Sequence, residues 1–183
     1  MSLFLITAFS NDFIIGLNNK LPWNYNEDLQ YFKLITNNSI CVMGFNTFKS
    51  LKYPLKDRIN IVINNNVHGL IFEEGFYHVH SLEKAIEYSK NIYPKKNIFI
   101  IGGSSIYKES LHKYDFSKIY ITKINISLHN LDSTDEKNYV YFPINDLLNK
   151  YVLLKYNTSL KHPEIQYQQW VLKNDFTLYY EVD

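Results

Sequence analysis

Short, nearly uninterrupted apolar runs alternate along this chain with segments of helical periodicity. The runs at 3–9, 40–43, 58–63 and 97–101 read as strands buried on both faces, and a weaker run at 76–79 and another at 118–125 continue the series. Between them, Ser81 stands as an N-cap before Leu82, Ala85, Ile86 and Ser89, and 46–51 reads as a short helix. Alternation at 151–156 and 166–173 predicts a half-exposed closing hairpin, preceded by a short helix after Tyr141-Phe142-Pro143. Residues 10–19 read as a polar loop interrupted by Phe13-Ile14-Ile15, residues 126–140 as a long polar connection, and 176–182 as an extra strand or a docked tail. Strands alternating with helices imply a mostly parallel sheet covered on both faces, with an antiparallel pair at the end. Ligands of such sheets bind beyond the carboxyl ends of the strands, where Gly44, Gly102 and Thr122 fall.

Residues 21–33 hold the most informative polar position. Asn24 is a good N-cap with Glu27 three residues on, so a capping box is expected to start a helix here. Asp28 then shares one helical stripe with Leu29, Phe32 and Ile35. A carboxylate on a buried stripe must be hydrogen-bonded, protonated or turned toward a polar ligand. The plainer reading is a half-exposed first-turn acid that complements the helix dipole.

Composition narrows the field. The 183 residues suit one domain, expected to span 1–183, and 46% hydrophobic content fills its core. A net charge of +1 gives no electrostatic footprint for nucleic acid or an anionic membrane. No apolar run reaches the ~18 residues of a membrane span, and there is no secretory leader pattern. The one cysteine, Cys41, lies in an apolar run, which excludes an internal disulfide and fits a reducing, cytoplasmic setting. Only one of the 19 basic residues is arginine, Arg58, at the start of a strand. In so Lys-rich a chain a surviving Arg marks either a place where the planar fork must grip an anion, a structural ion pair, or chance.

Gly102-Gly103-Ser104-Ser105 follows a buried strand and opens a helix, so it is either an anion site built of backbone N–H groups or an ordinary tight turn. The six histidines show no metal-ligand spacing, and no metal is expected. No Ser-His or Cys-His arrangement stands out.

Taken in register, these segments resemble dihydrofolate reductases over nearly the whole chain. The carrying stretches are Ile15-Gly16, Leu21-Pro22-Trp23, Asp28-Leu29 to Phe32-Lys33, Val42-Met43-Gly44 with Thr47-Phe48, Pro54-Leu55 to Arg58, Ile101-Gly102-Gly103 to Tyr107, Tyr120 to Thr122, and Phe142-Pro143. The resemblance implies a single-domain, mostly parallel eight-stranded α/β sheet with an antiparallel C-terminal edge strand, and hydride transfer from NADPH to dihydrofolate. It makes Asp28, with Trp23 and Thr122, the catalytic group, Asp28 binding the pterin N3–H and 2-amino group. Ile6, Ala8, Leu29, Phe32, Lys33, Leu51, Leu55 and Ile101 become the substrate pocket, and Arg58 the clamp on the substrate's glutamate. The implied cofactor contacts are Ala8, Ile15, Gly16, Gly44, Phe45, Asn46, Thr47, Asn64, Asn65, His80, Gly102, Gly103, Ser104, Ser105, Ile106 and Tyr107. Residues 10–23 match a mobile lid, dihydrofolate and antifolates are the expected ligands, and a monomer is expected unless the chain is joined to thymidylate synthase.

Departures from the family pattern shape the expectations. Phe45-Asn46 and Asn64-Asn65 stand where the family places basic or Ser-Arg contacts to phosphate, so weakened discrimination of NADPH from NADH is expected, with His80 as a replacement cation; the competing reading is that Lys49 or Lys52 swings in and restores ordinary selectivity. Tyr139-Val140-Tyr141 lacks the usual acid before Phe-Pro, which leaves the bracing of the lid open. Two other readings compete: a riboflavin-pathway reductase of the same fold, which gives no reason for Asp28, and a pterin- or nucleotide-binding protein without catalysis.

Overall fold

A computed structural model describes residues 1–128 and 138–179. In chain order its elements are β1 (Leu3–Ser10), β2 (Ile14–Leu17), α1 (Asn26–Thr36), β3 (Ile40–Gly44), α2 (Phe45–Ser50), β4 (Ile59–Ile63), β5 (Ile71–Glu73), β6 (Phe76–Val79) and α3 (Leu82–Ile92). There follow β7 (Ile98–Ile100), α4 (Ser104–Lys113), β8 (Lys118–Ile124), β9 (Tyr139–Tyr141), α5 (Ile144–Lys150), β10 (Tyr151–Thr158) and β11 (Ile165–Leu172). A 3₁₀ helix, Lys173–Tyr179, packs against β10 and β11, so up to that point the segment is a docked tail and not an extra strand. Residues 180–182 of that expectation, and 129–137 of the polar connection, lie outside the described residues.

The sheet runs β10-β11-β8-β1-β7-β3-β4-β6-β5. Its centre is parallel and its C-terminal hairpin antiparallel, as the pattern predicts. The expected eight strands become nine through β5, which pairs antiparallel with β6 at one edge. All three β5 residues are exposed, so the strand carries no buried periodicity that a sequence reading could detect.

Parity along the strands divides the core. Val42, Ile61, Ile63 and Ile100 pack with α3 and α4 residues such as Ala85 and Leu111 on one face. Met43 and Val62 turn the other way, toward Phe48 of α2. From β3 the chain steps outward through β4 and β6, then returns to insert β7 between β1 and β3 and to lay β8 beyond β1. That reversal opens a crevice at the strand ends. Gly44 and Gly102 meet there, with Gly44 N–H donating to Gly102 O at 2.7 Å.

Local codes were followed unevenly. Ser81 caps α3 as predicted, accepting from Lys84 N at 3.3 Å. The expected Asn24–Glu27 box does not form: α1 begins at Asn26 with Tyr25 at the N-cap position and no side-chain cap. Glu27 is drawn off by the β10–β11 hairpin, where Ser159 and Tyr167 donate to its carboxylate.

Candidate active site

A cleft of about 1410 Å³ runs across the strand ends between α1, α2 and the start of α4. A drug-sized ligand occupies roughly 300–1,000 Å³, so this cleft has room for two molecules side by side. One end carries an acid, the other a glycine turn and a helix start.

The acid is Asp28. It is only 6% exposed, while its helix neighbour Leu29 is 49% exposed and forms the cleft wall with Phe32. Three members of the expected stripe, Asp28, Leu29 and Phe32, therefore face an open crevice, which answers why an acid sits on an apolar face, while the fourth, Ile35, lines a separate small pocket with Phe4 and Phe99. Among the described residues Asp28 is the one carboxyl in the lining, and no histidine joins it. Burial raises its pKa above the ordinary aspartate value, and the Thr122 hydroxyl and the Trp23 indole pull the other way. The Trp23 N–H is itself buried with no acceptor at hydrogen-bond distance, so its help is weak. Thr122, on β8 beside Ala8 of β1, comes to the carboxyl from the sheet.

Arg58 lies along the same end. Its Nε donates to Lys56 O at 2.9 Å and Nη1 to Thr36 Oγ1 at 3.0 Å, and its guanidinium carbon lies over the face of Phe32, 5.8 Å from the ring centroid. Among the described residues no carboxylate pairs with it, so the structural ion pair considered from sequence is absent there. The guanidinium is aimed by two neutral acceptors and keeps its charge for something in the cleft.

At the other end, Gly102 has φ +110, and a Cβ there would meet the Tyr107 ring at 3.1 Å; at Gly44 it would meet Ile106 at 2.9 Å. Glycine is needed at both for the two strand ends to close on α4. The first turn of α4 then presents Ser104 and Ser105 N–H groups to the cleft. Tyr107 donates its hydroxyl to Ile6 O at 2.8 Å, tying α4 under the floor of the cleft.

The lid is better ordered than its polar composition implied. Asn18 and Asn19 both have positive φ and close a two-residue turn in which Leu17 and Lys20 exchange backbone hydrogen bonds. β2 pairs with β9 across 120 residues of sequence, and Asn18 and Asn138 bond each other through N–H to O at 3.2 Å and N–H to Oδ1 at 3.3 Å. The missing acid is thus replaced by a backbone ladder. Ser104 Oγ, donating to Tyr141 O at 2.6 Å, joins that ladder to the glycine turn.

Every residue singled out in the sequence lines the cleft except His80. His80 follows the end of β6, stacks on His68 with centroids 6.4 Å apart and has Nδ1 at 3.3 Å from Val67 O. Among the lining residues that the sequence reading did not name as contacts are Lys20, Asn24, Ser50 and Val140. For Val140 the available signal was its place just before Phe-Pro; the other three carry none that sets them apart from surface residues.

A sequence model of the dihydrofolate reductase family matches residues 2–143. The chain belongs to the dihydrofolate reductase family. Among its relatives, the dihydrofolate reductase of Buchnera aphidicola subsp. Acyrthosiphon pisum is 40% identical over 129 residues, covering 70% of this chain and 75% of the relative. That of Haemophilus influenzae is 34% identical over 128 residues, with 70% and 75% covered. A bifunctional dihydrofolate reductase-thymidylate synthase of Paramecium tetraurelia is 28% identical over 176 residues, 87% of this chain and 37% of that one. Membership brings with it a nicotinamide cofactor, usually NADPH. The glycine turn, the α4 N-terminus and the size of the cleft fit such a group. No helix among the described residues is long and apolar enough to cross a membrane, and none of their His, Cys, Asp and Glu cluster as a metal site.

The burial of Asp28 has a consequence for stability. A carboxyl whose pKa is higher folded than unfolded holds its proton more tightly in the folded chain. Stability is then greatest below the unfolded pKa and falls as pH rises through the folded one. Asp28→Asn is therefore expected to melt at a higher temperature than the unaltered chain near neutral pH, the gain vanishing below the ordinary aspartate range. Thermal unfolding across pH checks this, and a less stable variant at neutral pH would contradict burial as the dominant influence.

Proposed function

We propose that residues 1–183 act as one domain that reduces 7,8-dihydrofolate to tetrahydrofolate with hydride from a reduced nicotinamide cofactor, in the cytoplasm. The observation that carries this is Asp28: one buried carboxyl, held toward its neutral form, in a cleft with space for two ligands. The cofactor supplies the hydride when bound across Gly44, Gly102, Gly103 and the first turn of α4. Hydride reaches C6 of the pterin only when N5 gains a proton. Asp28, the one acid in the lining, binds the N3–H and 2-amino group and supports that protonation. Thr122 and Trp23 favour its charged form, so the carboxyl is poised between giving up a proton and holding a cationic pterin. Leu29, Phe32, Leu51, Leu55 and Ile101 exclude water around the ring system, and β2 closes the lid side.

The test is oxidation of reduced cofactor in the presence of dihydrofolate, with Asp28→Asn beside the unaltered chain. A loss of about 10²–10⁴ in kcat is the range for one positioned proton-transfer group. Folate binding without Asp28-dependent turnover would leave a pterin-binding protein in place of an enzyme.

Arg58, with Lys33 beside the same end of the cleft, holds the substrate's glutamate. Arg58→Lys is expected to weaken dihydrofolate binding by about 2–4 kcal/mol, the scale for truncating one partner of a desolvated charge pair, with cofactor affinity unchanged. Equal losses for dihydrofolate and for a pterin lacking the glutamate would refute the clamp.

The cofactor's adenosine end falls to Phe45, Asn46, Asn64, Asn65 and Ser105, which offer dipoles where unit charges select a 2′-phosphate. His80, the candidate cation from sequence, stacks on His68 outside the cleft lining. Lys49 is the better candidate, its ammonium lying 4.7 Å over the Phe45 ring. A kcat/KM preference for NADPH over NADH below about a thousandfold, reduced further in Lys49→Ala, is the expected outcome. A larger preference that survives Lys49→Ala would place the selecting charge elsewhere; a thousandfold corresponds to roughly 4 kcal/mol.

A further inference from the structure

Helix α1 carries Asp28 in its first turn, and that turn lacks local support. Tyr25 at the N-cap position supplies no side-chain acceptor, and the Leu29 N–H reaches Tyr25 O only at 3.3 Å. The support comes from the C-terminal hairpin instead. Glu27 accepts from Tyr167 Oη at 2.9 Å through Oε1 and from Ser159 Oγ at 3.0 Å through Oε2. The Tyr167 ring also packs on Tyr31, one turn further along α1, with centroids 4.3 Å apart. Tyr167 therefore grips α1 on both sides of Asp28 in sequence.

The register of β11 makes this grip relevant to the acid. Tyr167 lies directly opposite Thr122 of β8, so the two side chains leave the same face of the sheet. One residue links the helix that carries Asp28 to the strand that carries Thr122, whose hydroxyl favours the charged form of that acid. Neither Tyr167 nor Glu27 lines the cleft, so any effect they have on chemistry passes through the residues that α1 and β8 present there, Asp28 first among them. Lys161, His162 and Glu164 from the hairpin turn and Tyr25 from the helix start surround the same corner. Both Glu27 and Asp28 could be shed to solvent by a small tilt of α1, and the clasp opposes that tilt.

We propose that Tyr167, acting through Glu27, is a positioning residue that fixes the Asp28 carboxyl against Thr122 and keeps water from it. Its catalytic consequence rests on the dihydrofolate-reducing reading; its effect on Asp28 does not. Loosening the clasp admits water, and because burial is the largest influence on Asp28, its titration must move down toward that of an ordinary aspartate.

Tyr167→Phe tests this, since it keeps the ring on Tyr31 and removes only the hydroxyl. Carbon NMR of the Asp28 carboxyl in the ligand-free protein, assigned with Asp28→Asn, is expected to show a lower midpoint. The kcat for dihydrofolate is expected to fall by about three- to thirtyfold, within the cost of a sub-ångström misplacement. Glu27→Gln keeps one acceptor oxygen and turns the other into an amide donor, so it loses at most one of the two hydroxyl contacts and its midpoint falls by no more than that of Tyr167→Phe. Combining Tyr167→Phe with Glu27→Ala shifts the midpoint no further than the larger single change, as expected of one unit. A lowered melting temperature with an unmoved Asp28 midpoint in Tyr167→Phe overturns the proposal and reduces the clasp to packing. Absence of turnover in the unaltered chain, with the midpoint shift intact, instead sinks the enzyme reading and leaves the positioning role standing.

Discussion

The buried carboxyl of Asp28 is the constraint on which the rest of the site depends. An acid removed from water without a fixed counter-charge is costly, and the chain meets that cost by biasing it toward the neutral form. Among the described residues no lysine or arginine is a cause of its shift; Arg58, which lines the same cleft, is hydrogen-bonded to Lys56 O and Thr36 Oγ1 instead. Moving Arg58 next to Asp28 would lower its pKa and remove the very property that distinguishes it.

Neutral support recurs throughout the cleft. Arg58 is aimed by a carbonyl and a hydroxyl, the lid by a strand ladder and paired asparagines, the glycine turn by a serine hydroxyl on a carbonyl. Each of these devices fixes geometry without adding a charge that would alter the titration of Asp28 or compete for an anionic ligand. In a chain with one arginine, backbone dipoles and amides are the available means of doing so.

What the sequence disclosed follows from the range of the forces involved. Buried strands, the Ser81 cap and the Asp28 stripe are written in neighbouring residues and were legible. β2 was not, because its partner β9 lies some 120 residues away and, Ile14 apart, neither short strand has a buried residue to betray it. The α1 start was misjudged for a related reason: Asn24 and Glu27 satisfy a local rule, but Tyr167 and Ser159 offer Glu27 two hydroxyl donors that only the folded hairpin brings near. His80 shows a further limit: its place in the chain matches a family position, while its stacking on His68 and its approach to Val67 O depend on a loop whose course neighbouring residues do not spell out.

The misread cap and the legible acid are therefore adjacent residues governed by different ranges of interaction. Asp28 could be recognised because its stripe is local; the accuracy with which it is held could not, because that depends on strand register between β8 and β11. A first turn secured by its own capping box would leave the helix free to tilt as a unit over the sheet. Handing Glu27 to the hairpin gives up a local bond and gains a long-range one, which ties the helix to the strand that carries Thr122. The exchange lowers the independence of α1 as a helix, and in return the acid's surroundings become a property of the whole sheet.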